Sequence, residues 1–352
     1  MSGILRCIAL VKLLAVAEVF LLFLETFLVM ATTERPECLE PHRQLIEEYK
    51  TFHNANKFSP DAQYLVHTCW ERQTCAGTGD RIRGALWLLR VAITYKKILL
   101  VDWERPGPLT EFLVPNEVDW TFTGFNASHF HADNTLSTDD FNDAVYRQVP
   151  SALEKFRATK TYHTNTNQHF DINIMVGITP ITDLHRDGSC YFRLLFKPNP
   201  DIVSRGEEYL RQLYGFAPTD YIAWHWRHYD IEQDTEKSVK IPELHRTLDC
   251  AQELAQNVGL DTYKQPILLL TDFHAFRQMV SHGEFRRLVT PPIVPRYIDK
   301  GVHAYADYIG IFVDLYLMSR GRCLLTSRSG FSDMAVWMGG IRLLTCNRPM
   351  HC

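Results

Sequence analysis

The feature that most constrains the fold is a regular alternation of strand and helix patterns through the last 150 or so residues. Residues 221–226 form a mostly apolar run of strand length, 242–257 space their apolar side chains as a helix does, and 267–271 form a second strand run. Residues 303–319, 323–326, 332–338 and 341–344 then read as helix, strand, helix and strand. Strands separated by helices pair in parallel, with the helices covering the sheet faces. An earlier stretch repeats the theme: a glycine loop at 77–80, a helix at 81–95 and a buried strand at 98–102. With 352 residues, 46% of them hydrophobic, the chain can bury two cores of ordinary domain size. The expected class is therefore α/β, with parallel-sheet units at 61–200 and 201–352 and a ligand cleft beyond the strands' carboxyl ends. Residues 103–195, rich in Asn, Asp, Thr, His and aromatics, read as long loops and short strands where a second substrate could bind.

The N-terminus carries a targeting signal. Arg6 and Lys12 close a short tail (1–12) before residues 13–31, an apolar run broken only by Glu18 and Glu25. Its nineteen residues can cross a hydrocarbon core of ~30 Å. The basic flank favours a single-pass type II anchor in the Golgi or endoplasmic reticulum membrane, with the rest of the chain lumenal. Cleavage after Val29-Met30-Ala31, giving a secreted protein, is the alternative. Residues 32–60 then form a stem with one helix at 41–52. Of nine cysteines, setting aside Cys7 leaves an even number able to pair in an oxidising lumen. Cys69 with Cys75 and Cys346 with Cys352 are the expected local loops, with Cys250 and Cys323 alternatively buried thiols. Asn126-Ala127-Ser128 is a possible glycosylation site. A net charge of -4 gives no field to hold nucleic acid.

Three segments carry chemistry. In the first, a strand run that opens apolar at 221–224 ends in His225, Trp226 and Arg227, with Asp230 beyond. A guanidinium at a strand's carboxyl end can grip a diphosphate bidentately, and His225 shares its strand face. A salt bridge from Arg227 to Asp230 is the competing reading. In the second, Asp314 lies on a helix, and a turn containing Ser327, Ser329, Gly330, Phe331 and Ser332 leads into another helix. A helix N-terminus of this kind suits phosphate, although Ser332 also reads as an ordinary N-cap. The third, residues 77–84 with Gly77, Gly79 and Asp80, lacks the third-glycine spacing of a dinucleotide loop. It allows close backbone approach to a ligand, or serves as a plain turn.

In this order the segments resemble the superfamily of α1,6-, α1,2- and protein O-fucosyltransferases. That family has the GT-B arrangement, two Rossmann-like domains facing across a cleft. The resemblance implies an inverting glycosyltransferase moving fucose from GDP-fucose to a glycan or protein hydroxyl. It implies Arg227 on the β-phosphate, His225 and Asp314 near the guanine, and Ser327, Ser329, Gly330 and Phe331 around the diphosphate. Gly77, Gly79 and Asp80 complete the donor site. Asp80 stands where relatives often carry Asn or Gly, and Gly330 replaces a serine of some relatives. The catalytic base is expected among Asp230, Asp234 and Glu236, with Asp80 a further candidate. In the α1,6 branch an acidic residue follows the arginine at the place where this chain has Thr235. No Asp-x-Asp motif is present, so no metal and no cofactor beyond the donor substrate are expected. A cluster of His129, His131 and Asp133 reads more simply as a polar loop. Another nucleotide-sugar donor, or a lectin-like protein without turnover, are the alternative functions.

Overall fold

A computed structural model describes residues 38–70, 73, 75–125, 138–166, 168, 177–215, 220–227, 241–296, 298 and 308–349. The expected anchor at 13–31, the sequon at Asn126, the His129 cluster, and Asp230, Asp234 and Glu236 lie outside them. Among the described residues no helix is long and apolar enough to cross a membrane.

In chain order the first half runs α1 (His42–Asn56), β1 (Tyr64–Cys69), α2 (Thr78–Tyr95), β2 (Ile98–Trp103), β3 (Leu113–Pro115), α3 (Thr138–Asn142), α4 (Pro150–Ala158), β4 (Thr161–Thr164), α5 (Leu184–Leu195) and β5 (Phe196–Pro198). The second half adds α6 (Pro200–Tyr214), β6 (Ile222–Trp226), α7 (Ile241–Asn257), β7 (Ile267–Thr271), α8 (His274–Ser281), β8 (Leu288–Val289), α9 (Ile309–Arg320), β9 (Cys323–Thr326), α10 (Gly330–Gly339), α11 (Ile341–Thr345) and β10 (Asn347–Pro349). Strands β2-β1-β4 form one parallel sheet and β10-β9-β6-β7-β8 a second. A short antiparallel pair, β3 with β5, stands apart. Every residue of β1, β6 and β7 is buried, as expected of parallel strands covered on both faces.

One apolar cluster joins the two halves, running from Ile46 on α1 through α2 and α5 to α9, α10 and Leu343. Trp337 of α10 is fully buried and donates from its indole Nε1 to Leu184 O at 3.0 Å, while Ser189 Oγ donates to Trp337 O at 2.9 Å. These bonds fix α10 against α5.

Several expectations need correction. Residues 341–344 are helical, because Gly340 at φ 66° turns the chain after α10 and a single helical turn drops Leu343 into the core. The edge strand follows at β10. Residues 103–195 hold three α-helices among the described residues rather than loops alone. The longest, α5, starts where the Asp183 carboxylate accepts from the amides of His185 and Arg186, and it buries Tyr191, Phe192, Leu194 and Leu195. The helix expected within 32–60 forms, as α1; it buries Ile46, Tyr49 and His53, and Cys38 just before it is disulfide-bonded to Cys190 of α5. Cys69 pairs with Cys75 as expected, whereas Cys346 pairs with Cys323, the first residue of the neighbouring strand β9. Cys250 is likewise disulfide-bonded and not a thiol.

Candidate functional site

In the second sheet β6 lies between β7 and β9, so the carboxyl ends of three strands sit side by side. One step past those ends stand Arg227, Asp272 and Ser327. Arg227 and Asp272 face a cavity of ≈ 610 Å³ that draws its lining from both halves of the chain. Gly77, Gly79 and Asp80 line it, as do His225, Arg227, Asp314, Ser329, Gly330 and Phe331. Segments near opposite ends of the folded chain thus face one space.

Two helix N-termini converge there. Helix α2 begins at Thr78 after Gly77, which has the extended backbone usual for an N-cap (φ -68°, ψ 164°) but no side chain to cap the first-turn amides. Helix α10 begins at Gly330 after Ser329, whose Oγ accepts from the Phe331 amide at 3.2 Å. The N-cap is therefore Ser329 and not Ser332. The two ends touch through backbone: a Cβ on Gly79 would lie 2.5 Å from Gly330 C and 2.7 Å from Phe331 N. Arg83 crosses the junction, bonding Asp333 of α10 at 2.8 Å and approaching Asp80 at 3.4 Å. The uncapped amides of α2, the positive ends of both helix dipoles and the guanidinium groups together make a setting for a dianion.

The strand ends are stitched to α10 by a short chain of hydrogen bonds. The Ser327 amide donates to His225 O at 3.1 Å, and Ser327 Oγ accepts from the Arg227 amide at 2.9 Å. Ser332 Oγ donates to Ser327 O at 3.0 Å and lies 2.6 Å from His225 Nδ1. A hydroxyl has one proton to give, so Nδ1–H is the donor to Ser332 and Nε2 keeps its lone pair. Ser327 is not among the cavity-lining residues. It orders the Arg227 backbone from behind.

Charge is arranged in opposed pairs. Arg227 Nη1 sits 3.1 Å from Asp272 Oδ2. Arg277 is deeply buried, donates from Nε to Thr271 O at 2.6 Å, and contacts Asp314 through its guanidinium. Burial pushes the Asp314 carboxyl up, and Arg277 pulls it back. Asp272, Arg277, Arg83 and Asp333 are site residues that the sequence reading did not single out. The strand-end rule that drew attention to Arg227 after β6 applies equally to Asp272 after β7.

Burial, reinforced by Arg227 and Arg277, holds the His225 imidazole down to about 3, so it is neutral in the folded state. Burial also lowers His53 and His67, each to about 4. All three fold as neutral groups and take up protons more readily when unfolded. Their stability contribution is complete above pH ~6.5 and is lost as the pH falls below it towards the folded values. The expected slope is about 1.4 kcal/mol per pH unit for each histidine. Chemical denaturation across pH 7 to 4.5 should show a steady loss of stability, made shallower by His67→Asn. A flat profile over that window would contradict the burial assigned to these rings.

No protein-family model matches the sequence, and no curated protein matches it. Solved structures do match. A mutant of Arabidopsis thaliana FUT1 in complex with GDP aligns over 87% of this chain and 79% of its own, at 13% identity and a TM-score of 0.51. The fucosyltransferase NodZ from Bradyrhizobium aligns over 78% of this chain and 92% of its own, at 18% identity and a TM-score of 0.41. POFUT1 in its apo form aligns over 83% and 98%, at 12% identity and 0.46. The FUT1 likeness gives this chain a GT-B-like fold, mixed α/β with parallel sheets, the class that the sequence led us to expect.

Proposed function

We propose that this protein is an inverting glycosyltransferase of the secretory pathway that carries fucose from GDP-fucose to a hydroxyl of a glycan or glycoprotein. The observation that carries the reading is the convergence of α2, α10 and the β6 end, with Arg227, on one cavity. Breaking the bond between the anomeric carbon and the β-phosphate oxygen leaves negative charge on the nucleotide. Fixed amides and guanidinium groups stabilise that charge as it develops. The acceptor oxygen forms the new bond from the opposite face, and its proton passes to a carboxylate. Asp80 is suited to that task, since it lines the cavity and meets Arg83 only at 3.4 Å. Asp230, Asp234 and Glu236 are the further candidates, on the segment that follows Arg227 in sequence. The GDP bound to the FUT1 mutant supports guanosine diphosphate as the carrier. The disulfides support an oxidising compartment, consistent with a type II anchor in the Golgi or endoplasmic reticulum.

The reading is tested by incubating the purified full-length chain with GDP-fucose and with UDP-sugars in the presence of EDTA. Slow release of GDP from GDP-fucose alone is the expected result, because arginines and helix ends do the neutralising that a metal would otherwise do. Absence of both binding and hydrolysis with every nucleotide sugar would refute it.

A further inference from the structure

Three guanidinium groups in the cavity wall are held by carboxylates: Arg83 by Asp333, Arg227 by Asp272 and Arg277 by Asp314. Arg296 also lines the cavity and is half-buried, yet it makes no hydrogen bond or ion pair with any described residue. A cation kept partly out of water without a counter-charge gives up hydration and gains nothing until a ligand brings acceptors to it. The segment that carries it is anchored. The Ile293 amide donates to Pro291 O at 2.7 Å, and Ile293 O accepts from Arg277 Nη1 at 3.4 Å. Ile293 also packs on the first turn of α9, where a Cβ on Gly310 would come within 2.6 Å of its Cγ2.

The company of Arg296 differs from that of the helix ends. Leu270 of β7, Ile293 and Pro295 of its own segment, and Ile298 and Ile311 give this part of the wall an apolar character. Asp314 opens onto the same cavity while Arg277 fixes its carboxylate. An apolar wall with the Arg296 guanidinium, which pairs with no described residue, and the Asp314 carboxylate suits a flat heterocycle that has an acceptor edge beside a donor edge. Guanine has that pattern: O6 and N7 accept from an arginine fork, and N1–H and the 2-amino group donate to a carboxylate. Adenine would turn its 6-amino donor towards the guanidinium, and uracil has no N7.

We propose that Arg296 reads the O6 and N7 edge of a guanine base and so sets the choice of nucleotide. The proposal rests on the donor reading above. The test is calorimetry on the full-length chain with GDP, 7-deaza-GDP (N7 replaced by C–H), UDP and inorganic pyrophosphate. Wild type should bind GDP roughly 10-fold more tightly than 7-deaza-GDP, the worth of one charge-assisted hydrogen bond. Arg296→Ala should weaken GDP by roughly 10- to 100-fold, erase the difference between GDP and 7-deaza-GDP, and leave pyrophosphate unchanged. Arg296→Lys, which keeps the charge and loses the planar fork, should retain part of that difference, because an ammonium can still donate to N7. Equal GDP binding by wild type and Arg296→Ala overturns the proposal, as does a parallel loss of pyrophosphate, which would make Arg296 a phosphate ligand. If Arg296→Ala does not fold, equal wild-type affinity for GDP and 7-deaza-GDP overturns it alone. Wild-type preference for UDP overturns the guanine inference and leaves a transferase standing, whereas failure to bind any nucleotide or pyrophosphate removes both.

Discussion

Arg227→Ala should lower the rate of sugar transfer by roughly 10²- to 10³-fold, the usual loss when one preorganised group facing a developing anion is removed. The guanidinium stands just past the end of β6, with its backbone amide fixed on Ser327 Oγ and its Nη1 on Asp272, so its position is set before any ligand arrives. Preorganisation of this kind acts mainly in the transition state, so kcat should fall more than KM rises. Arg227→Lys keeps the charge but not the planar fork and should recover only part of the rate. Steady-state kinetics with both variants check this. Full activity of Arg227→Ala would mean that the arginine is merely a partner for Asp272.

Gly79→Ala is the second large effect. The new Cβ would meet Gly330 C at 2.5 Å and Phe331 N at 2.7 Å, and these are backbone atoms with no rotamer to escape into. The N-termini of α2 and α10 must then move apart, and the anion setting they make together is lost. We expect GDP affinity to fall by at least tenfold, equivalent to about 1.4 kcal/mol. A stability loss of about 1–3 kcal/mol, typical of overpacking, should accompany it. Calorimetry and denaturant melts measure both. An alanine variant that binds GDP as the wild type does would show that the helix ends do not need to touch.

Much of this arrangement was legible in the sequence because it is written in local pattern. The run Ile222–Trp226 is buried throughout and ends in polar residues, which marks a central parallel strand and its ligand-facing end. The glycine segment and the turn around Ser329 were recognisable as leading into helices, although α2 already begins at Thr78, inside the segment expected to be a loop, and α10 at Gly330. What stayed hidden depends on which elements become neighbours. The contact between Asp272 and Arg227 follows from β7 lying beside β6, and that of Arg277 with Asp314 from the packing of α8 and α9 residues. Strand β1 passed unnoticed because His67 and Thr68 interrupt its apolar run, although both are fully buried. Cys346 found Cys323 through the β9–β10 pairing, which no spacing along the chain reveals. Residues 341–344 were ambiguous as a short apolar run, and Gly340 decided for helix. Ser332 was read as a cap when its hydroxyl instead joins His225 to Ser327.

The central claim is that the cavity between α2, α10 and the end of β6 holds the diphosphate of a nucleotide. Titration of GDP into the full-length chain, wild type beside Arg227→Ala, tests it most directly. The account predicts saturable one-to-one binding by the wild type, at least tenfold weaker in the variant. Absence of GDP binding by the wild type, or identical binding by the two, would contradict it.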